Sequence, residues 1–445
     1  MTSSEPIPFV VRLVVGACLA LAGCSDDSAG PAADAGSDSG PDGGDTELPD
    51  SLVDLSFGDF GPWATPIDDY IAVGEELASG YYMKGIAELA PFDGRMWIGY
   101  GDGNLNLGEY IDIEFRYFAS ADEPTAAPAV VDGEGQGAEM PTPYVSGEEA
   151  LPRYQIIDGK LVLAGPDSID ADELWTQANT DPPAIQGNFF SLDGDVWRKH
   201  RSVPGGEHVH DAKGWNGATY AVGSGADYRY EFEAGQIFRY LWRSEDGGTT
   251  FETVQRFEYT EGDTRFVHLL PTAEALYLFG YIYEQATEAV SVENASFDGT
   301  EVTSLEADHP FARIFGTSVD ALPDGSSLLR GVDVDEPILL NEIWRVGPDA
   351  SAARVEAMIG WTVIDVALVE EFGEILILVA EGDSYADGPT EPYALAAWAA
   401  PISDPEAVSE LVAFDADALP ESIAFWQGSL FLGTGEGEVW KAVAE

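Results

Sequence analysis

Five histidines occur in this sequence, and three of them are placed where they could bind a metal ion or a small polar ligand. His208 and His210 are separated by one residue, so a β-strand would present both imidazoles on one face. His268 follows His210 by 58 residues, and Asp320 and Asp365 are expected at the equivalent points of the next two segments. Two imidazoles facing two carboxylates suit a divalent cation or the polar capture of a small ligand.

The same polar set also has a structural interpretation, which we favour. Polar side chains on innermost strands can line a water-filled channel, where a satisfied histidine needs no ligand. We therefore expect no cofactor, with a divalent cation bound by this set as the alternative. The sequence contains no Ser-His-Asp order, phosphate-binding glycine loop or dinucleotide fingerprint in a strand-to-helix context.

The elements that would position these residues recur along the chain. A turn followed by an apolar strand appears in seven copies, with the turns at positions 94, 159, 217, 275, 325, 373 and 428. A repeat of roughly 50–60 residues with short apolar runs and almost no helical periodicity is typical of four-stranded units. Such units form the blades of a β-propeller. We predict that residues 51–445 are all-β and form a single seven-bladed β-propeller, with six or eight blades as alternatives.

The last copy predicts how such a ring would close. It supplies three strands, near residues 422–425, 429–434 and 438–442, after which the sequence stops. A blade without its fourth strand would leave an open edge. The missing strand is expected from the N-terminal side, around residues 52–57.

The stretch at 244–251, Ser-Glu-Asp-Gly-Gly-Thr-Thr-Phe, resembles the Asp-box, or BNR repeat, of the sialidase-like β-propellers. The matching residues are Ser244, Asp246, Gly248, Thr250 and Phe251. In that family the box is structural and lies away from the active centre, so the resemblance implies a fold and says little about activity. We expect the carboxylate to accept backbone N–H bonds and the aromatic ring to pack between blades.

Sialidase activity itself is disfavoured. The early Arg-Ile-Pro signature of that family has no counterpart, since the nearest stretch is Leu-Pro-Arg-Tyr-Gln-Ile at 151–156. The spacing of the arginines singles out no substrate-binding triad. A strongly negative surface also disfavours an anionic sugar.

A different chemistry is implied at Cys24. An apolar run at residues 13–22 follows Arg12 and ends in Leu21-Ala22-Gly23-Cys24. This ending resembles the lipobox of bacterial lipoproteins. The resemblance implies that residues 1–23 are a signal peptide, that the Cys24 thiol takes a diacylglycerol and that the new N-terminus is acylated, for example with palmitate. A simple secretory signal is the alternative.

The neighbourhood of Cys24 carries two further expectations. Residues 24–50 are rich in Asp, Gly, Ser and Pro, which predicts a disordered tether. Cys18, the only other cysteine, lies in the leader, so the mature chain would have no intramolecular disulfide and no thiolate zinc site. Ser25 differs from the aspartate that marks inner-membrane retention in the lipoprotein family. The resemblance therefore favours the outer membrane, with the protein facing the periplasm or the cell surface.

The net charge of the chain limits the classes of partner that it can bind. The chain has 80 acidic and 20 basic residues and a net charge of −60, which disfavours nucleic acid as a partner. The expected partners are the lipid bilayer, through acylated Cys24, and a protein or glycan that loops on one propeller face bind without catalysis. The protein is expected to be monomeric. The alternative function is a glycoside hydrolase or a metal-dependent hydrolase acting in the central funnel.

Overall fold

Seven β-sheets make up the part of the chain that the structure describes. The structure is a computed structural model, and it describes residues 50–444 apart from 78–81, 103–110, 134–143, 167–183, 229, 232–233, 259–262, 285–288, 323, 335–340, 382–391 and 418. Cys24, the predicted signal peptide and the predicted tether as far as residue 49 lie outside the described residues. The prediction of an all-β, seven-bladed propeller is confirmed.

The first four blades follow one another along the chain. Blade 1 comprises β2 (Glu88–Phe92), β3 (Arg95–Gly99), β4 (Arg116–Phe118) and β5 (Ala127–Pro128). Blade 2 comprises β6 (Val130–Gly133), β7 (Gln155–Ile157), β8 (Lys160–Ala164), β9 (Gln186–Asp193) and β10 (Val196–Pro204). Blade 3 comprises β11 (His208–Trp215), β12 (Ala218–Gly225), β13 (Phe238–Ser244) and β14 (Glu252–Arg256). Blade 4 comprises β15 (Asp263–Pro271), β16 (Leu276–Glu284), β17 (Ala289–Val292), β18 (Ala295–Phe297) and β19 (Val302–Ser304).

The remaining three blades complete the ring. Blade 5 comprises β20 (Ile314–Ala321), β21 (Ser327–Asp333), β22 (Glu342–Val346) and β23 (Ala352–Arg354). Blade 6 comprises β24 (Trp361–Val369), β25 (Glu374–Glu381), β26 (Tyr393–Pro401) and β27 (Ser409–Ala416). Blade 7 comprises β28 (Pro420–Trp426), β29 (Ser429–Thr434), β30 (Val439–Val443) and, from the start of the chain, β1 (Gly61–Ala64).

The innermost strand of each blade lies nearest the central axis. These seven strands are β2, β7, β11, β15, β20, β24 and β28, and each stands at one end of its sheet. Successive innermost strands contact each other across blades, as β11 does with β15 and β28 does with β2. Polar side chains on these strands are therefore brought together at the axis.

Tight turns explain the recurring sequence pattern. In blades 1, 2, 3 and 7 the innermost strand is joined to its neighbour by a two-residue turn in which both residues have positive φ. These turns are Asp93-Gly94, Asp158-Gly159, Asn216-Gly217 and Gln427-Gly428. Such turns match the right-handed twist of the strands they join and strongly favour glycine at the second position. We call the side of the ring where these turns lie the turn face.

The N-terminal segment closes the ring, as predicted, although at a different position. Strand β1 pairs antiparallel with β30, with Pro62 opposite Trp440. The expected segment 52–57 does not supply the strand, because residues Leu52–Asp54 form a 3₁₀ turn whose Leu52 N–H donates to Glu374 at 2.8 Å. Phe57 makes only an isolated bridge to Ala444.

One α-helix, α1 (Asp68–Leu77), lies between β1 and the first complete blade. It is anchored to that blade by Arg116 of β4, whose guanidinium donates to both carboxylate oxygens of Asp69 at 2.7 and 2.6 Å. Within the described residues, no helix combines the length and the apolarity that a membrane crossing requires.

Candidate functional site

Charged side chains meet at the centre of the ring and occupy the axis. Arg153, two residues before β7 of blade 2, reaches across to blades 4 and 5. Its guanidinium lies 3.1 Å from Nδ1 of His268 and donates to the Val319 carbonyl at 3.0 Å. Lys213 of blade 3 donates to the same carbonyl at 3.0 Å. The side chains of Arg153, Lys213 and His268 are each at most 4% exposed, so the middle of the channel is filled rather than open.

Carboxylates on the innermost strands connect one blade to the next. Asp211 of β11 accepts the Leu269 N–H of blade 4 at 2.7 Å, and Asp365 of β24 accepts the Ile423 N–H of blade 7 at 2.8 Å. Glu88 of β2 accepts the Tyr154 N–H of blade 2 in the same manner. Each bond satisfies a backbone donor at a seam between blades, where an unpaired N–H would cost free energy.

The registers of these strands change the predicted equivalences. β11 and β15 each have an irregularity after which the first paired residue is Asp211 in one and His268 in the other. Asp365 holds the same place in β24, but in β20 that place belongs to Ser318. The counterpart of His268 is therefore Asp211 rather than His210, and Asp320 lies two residues beyond the equivalent point. Sequence spacing missed this because the turn after the innermost strand has two residues in blade 3 and four in blade 4.

The three predicted histidines lie along the channel but among cations. The His208 and His210 rings stack with centroids 5.8 Å apart. Burial lowers the pKa of both imidazoles, to about 3 for His208, and the nearby Arg265 lowers each further. Burial also lowers the pKa of His268, with Arg153 and Lys213 adding to the effect. The imidazoles are therefore neutral, and the surrounding positive charge disfavours a divalent cation.

The two predicted carboxylates contribute differently. Burial raises the pKa of Asp365 well above its usual range, and its second oxygen lies 3.6 Å from the Arg330 guanidinium. Asp320 is 1% exposed and acts electrostatically on Glu88 across the channel. Among the residues described, no group of three or more His, Cys, Asp or Glu side chains is arranged to hold a metal ion.

A cavity of about 480 Å³ opens at the turn face between blades 1, 2, 6 and 7. Its walls come from the ends of the innermost strands β2, β7, β24 and β28. Most of the wall is apolar, formed by Leu89, Phe92, Ile156, Leu368, Phe425 and Trp426. Gln155, Gln427 and four acidic residues add polar groups to the lining, and the volume is in the range of small-ligand sites.

Glu88 is the buried acidic side chain among the described residues that line this cavity. Its side chain lines the cavity although the residue is only 2% exposed. One carboxyl oxygen accepts the Tyr154 N–H, while the other, Oε1, has no hydrogen-bond partner. Burial raises the pKa of Glu88 to about 8, because desolvation outweighs the Tyr154 hydrogen bond and the attraction of Arg153. The cavity therefore holds a mostly protonated carboxyl at neutral pH.

Exposed acidic residues surround the mouth. Asp93, Glu370 and Glu371 line the cavity at the turns that follow β2 and β24. Burial raises the pKa of Glu371. None of the described residues that line the cavity is a lysine, an arginine or a histidine. The electrostatic character of the entrance is therefore negative.

Sequence reasoning did not identify Glu88, although a weak signal exists. The stretch 88–92, Glu-Leu-Ala-Pro-Phe, directly precedes the first recurring turn. A charged residue at the start of an innermost strand is the signal that could have identified it, because that strand is covered on both sides by other blades. The cavity, and the Glu88 oxygen that has no hydrogen-bond partner, exist only where four blades come together. No local sequence pattern predicts that arrangement.

The stretch that resembles an Asp-box forms the turn between β13 and β14, on the outside of blade 3. Asp246 accepts the Thr250 N–H at 2.8 Å and its hydroxyl at 2.7 Å, and Ser244 Oγ accepts the Gly248 N–H at 2.8 Å. Phe251 packs against Phe189 of blade 2, with ring centroids 5.2 Å apart. This turn joins neighbouring blades and is remote from the cavity residues.

No protein-family model matches the sequence, and no curated protein matches it either. Solved structures with a similar fold include virginiamycin B lyase from Staphylococcus aureus, at 12% identity and a TM-score of 0.39, covering 82% of this chain and 97% of that one. A GH74 enzyme from Niastella koreensis has 8% identity and a TM-score of 0.43, covering 86% and 53%. A putative TolB from Agrobacterium tumefaciens has 13% identity and a TM-score of 0.32, covering 65% and 87%. We draw the function from this chain's own residues.

Proposed function

We propose that this protein is an extracytoplasmic binding protein, anchored to the outer membrane through acylated Cys24, whose propeller holds a ligand at the turn-face cavity. The observation that carries the binding site is Glu88, a buried carboxyl with a spare oxygen at the cavity. The lipobox-like stretch at 21–24 and the acidic composition of residues 24–50 support the anchor and the tether.

Binding without catalysis is supported by what the other buried acids do. Asp211 and Asp365 accept backbone N–H groups of the neighbouring blade, so these carboxylates stabilise the contacts between blades. Glycoside hydrolysis, the catalytic alternative, canonically uses a pair of carboxyl groups. Among the described cavity residues, Glu88 is the one acidic group that is buried, while Asp93, Glu370 and Glu371 are exposed.

We favour a protein ligand over a glycan. The cavity walls include leucine, isoleucine and aromatic side chains, which suit the apolar part of a protein side chain. The ligand is thus a segment of another extracytoplasmic protein that inserts one side chain.

The anchor is tested with the full-length chain expressed in a bacterium that has two membranes. We expect the wild-type protein in the outer-membrane fraction, labelled by radioactive palmitate, and Cys24→Ser released without label. Unlabelled wild-type protein, or a Cys24→Ser variant that stays in the membrane, would contradict the lipoprotein proposal.

Binding is tested by probing peptide and glycan arrays with the full-length protein purified in detergent. Leu368→Trp places an indole in the cavity, and Ile359→Trp makes the same kind of change at an exposed position before β24. We expect peptides that bind wild-type protein and Ile359→Trp but not Leu368→Trp, and that mass spectrometry recovers unaltered. Hits confined to glycans, hits unaffected by Leu368→Trp, or conversion of a hit to products would each overturn one part of the proposal.

A further inference from the structure

The free oxygen of Glu88 defines what the cavity can recognise. Glu88 lines the cavity, and its Oε1 is buried and has no hydrogen-bond partner within the described residues. A buried polar atom without a partner is costly, so a ligand that supplies a hydrogen-bond donor at this point gains free energy that other ligands do not.

The surrounding charges favour a donor that is also a cation. Asp93, Glu370 and Glu371 stand at the entrance. The two cations that act electrostatically on Glu88 make their hydrogen bonds outside the cavity: Arg153 to His268 and Val319, and Lys213 to Val319. A positively charged group is attracted by the entrance and meets no lysine or arginine on the described walls.

The walls define the rest of the ligand. Apolar side chains from four blades separate the acidic rim from Glu88, and the aromatic rings of Phe92, Phe425 and Trp426 are among them. An apolar chain would bury its surface there, and aromatic faces also attract a cation. We infer that the cavity binds a primary ammonium group at the end of an apolar chain, with the ammonium donating to Glu88 Oε1. This chemistry is shared by a lysine side chain and a free alkylamine, and the inference rests on the proposed function because it names the group that the same cavity takes.

Binding must then be linked to a proton. Glu88 accepts the Tyr154 N–H and is acted on electrostatically by Arg153, Lys213 and Asp320. Together with burial, these groups place the pKa of Glu88 at about 8 before a ligand binds. The bound form is a carboxylate beside an ammonium, so binding releases the Glu88 proton to solvent. An alkylammonium remains protonated up to about pH 10. Affinity should therefore rise about tenfold per pH unit below pH 7 and level off above pH 9.

The test is isothermal titration calorimetry of the full-length protein with three probes of equal length: hexylammonium, 1-hexanol and hexanoate. Nα-acetyl-lysine methylamide, as a fourth probe, distinguishes a peptide source from a free amine. The variants are Glu88→Gln and Leu368→Trp, with Glu301→Gln, an exposed acid of blade 4, as the matched control. We expect hexylammonium to bind tightest, at least tenfold weaker in Glu88→Gln, absent in Leu368→Trp and unchanged in Glu301→Gln.

Several outcomes would overturn the inference. These are 1-hexanol or hexanoate binding as tightly as hexylammonium, an affinity independent of pH, or no binding of hexylammonium to folded wild-type protein. Stronger binding of the lysine derivative than of hexylammonium assigns the site to a protein partner, and the reverse assigns it to a free amine. If peptides on the array still require the cavity while hexylammonium fails, the proposed function stands and only the ammonium assignment falls. Because Leu368→Trp leaves Glu88 intact, it keeps the test valid if Glu88→Gln does not fold.

Discussion

Buried carboxylates have two different roles in this protein. Asp211 accepts the Leu269 N–H of the following blade and the Gln155 amide, and Asp365 accepts the Ile423 N–H while its second oxygen lies 3.6 Å from the Arg330 guanidinium. Glu88 makes the same type of bond to Tyr154 but retains one oxygen at a cavity. The difference lies in the surroundings rather than in the residue type, so it appears only when the blades are assembled.

Removing the Asp211 carboxylate should destabilise the ring. Asp211→Ala leaves the Leu269 N–H and the Gln155 amide without this acceptor at a fully buried site, and we expect a loss of about 3 kcal/mol in the free energy of unfolding. Urea denaturation followed by circular dichroism measures it. Asp308→Ala, an exposed aspartate, is the control and should change stability by less than about 0.5 kcal/mol. Equal effects of the two substitutions would contradict the assigned role.

The raised pKa values of buried carboxyls predict a loss of stability at alkaline pH. Burial raises the pKa to about 8 for Glu88 and to about 7 for Glu421, where Glu436 adds to the effect. The folded state therefore holds protons that the unfolded chain releases near its usual pKa of 4.5. Their stabilising contribution is complete below that pH and is lost as pH rises towards 8, at up to about 1.4 kcal/mol per pH unit for each group.

Substitution of Glu88 tests this dependence. Between pH 6.5 and 8 two kinds of group oppose the dependence: the buried histidines, which are about half protonated at pH 6.5 when unfolded, and Lys199, whose pKa burial lowers to about 7. The test is therefore a comparison with wild type, in which we expect Glu88→Gln to make the slope of the free energy of unfolding against pH more positive by about 1 kcal/mol per pH unit. Urea midpoints at the two pH values measure the slope. Glu301→Gln should behave as wild type, and an unchanged slope in Glu88→Gln would refute the pKa assignment.

At the scale of elements, the ring is closed by β1, a strand from the N-terminal part of the chain that completes blade 7. β1 pairs with β30, and Trp63 of β1 packs on Phe118 and Phe431 with ring centroids 4.6 and 5.0 Å apart. Lys441 lies 5.8 Å from the same indole ring. Trp63 therefore joins blades 1 and 7 at the seam that connects the two ends of the described chain.

Loss of this side chain should weaken the closure. Trp63→Ala removes the half-buried indole, and we expect the free energy of unfolding to fall by about 2–3 kcal/mol. Thermal and urea unfolding of the full-length chain measure the change. Pro62→Ala alters the neighbouring exposed residue of β1 and should change stability by less than about 1 kcal/mol. A Trp63→Ala variant as stable as Pro62→Ala would show that the seam does not depend on this contact.

Elements were predictable from the sequence to the extent that they are local. Turns such as Asn216-Gly217 require positive φ at both residues, and that requirement produced the visible repeat. The closing strand was misplaced because residues 52–54 are held by a distant carboxylate, Glu374. The predicted channel residues were misaligned because the turns after β11 and β15 differ in length, and that length depends on where each strand stops pairing with its partner.

At the scale of the whole molecule, the axis is closed and the binding capacity lies at one end of it. Arg153 and Lys213 meet at the Val319 carbonyl and fill the middle of the ring. The cavity at the turn face has apolar walls and an acidic entrance, and its buried acid is Glu88. In a chain with a net charge of −60, this arrangement draws cations towards an apolar pocket that can desolvate them.

The most direct test of this account is infrared difference spectroscopy of the full-length protein at pH 7, with and without saturating hexylammonium. Binding should remove the carbonyl band of one protonated carboxyl and add a carboxylate band, and both changes should be absent in Glu88→Gln and present in Glu301→Gln. An unchanged spectrum at saturation, or the same change in Glu88→Gln, would contradict the claim that the ligand is held by Glu88.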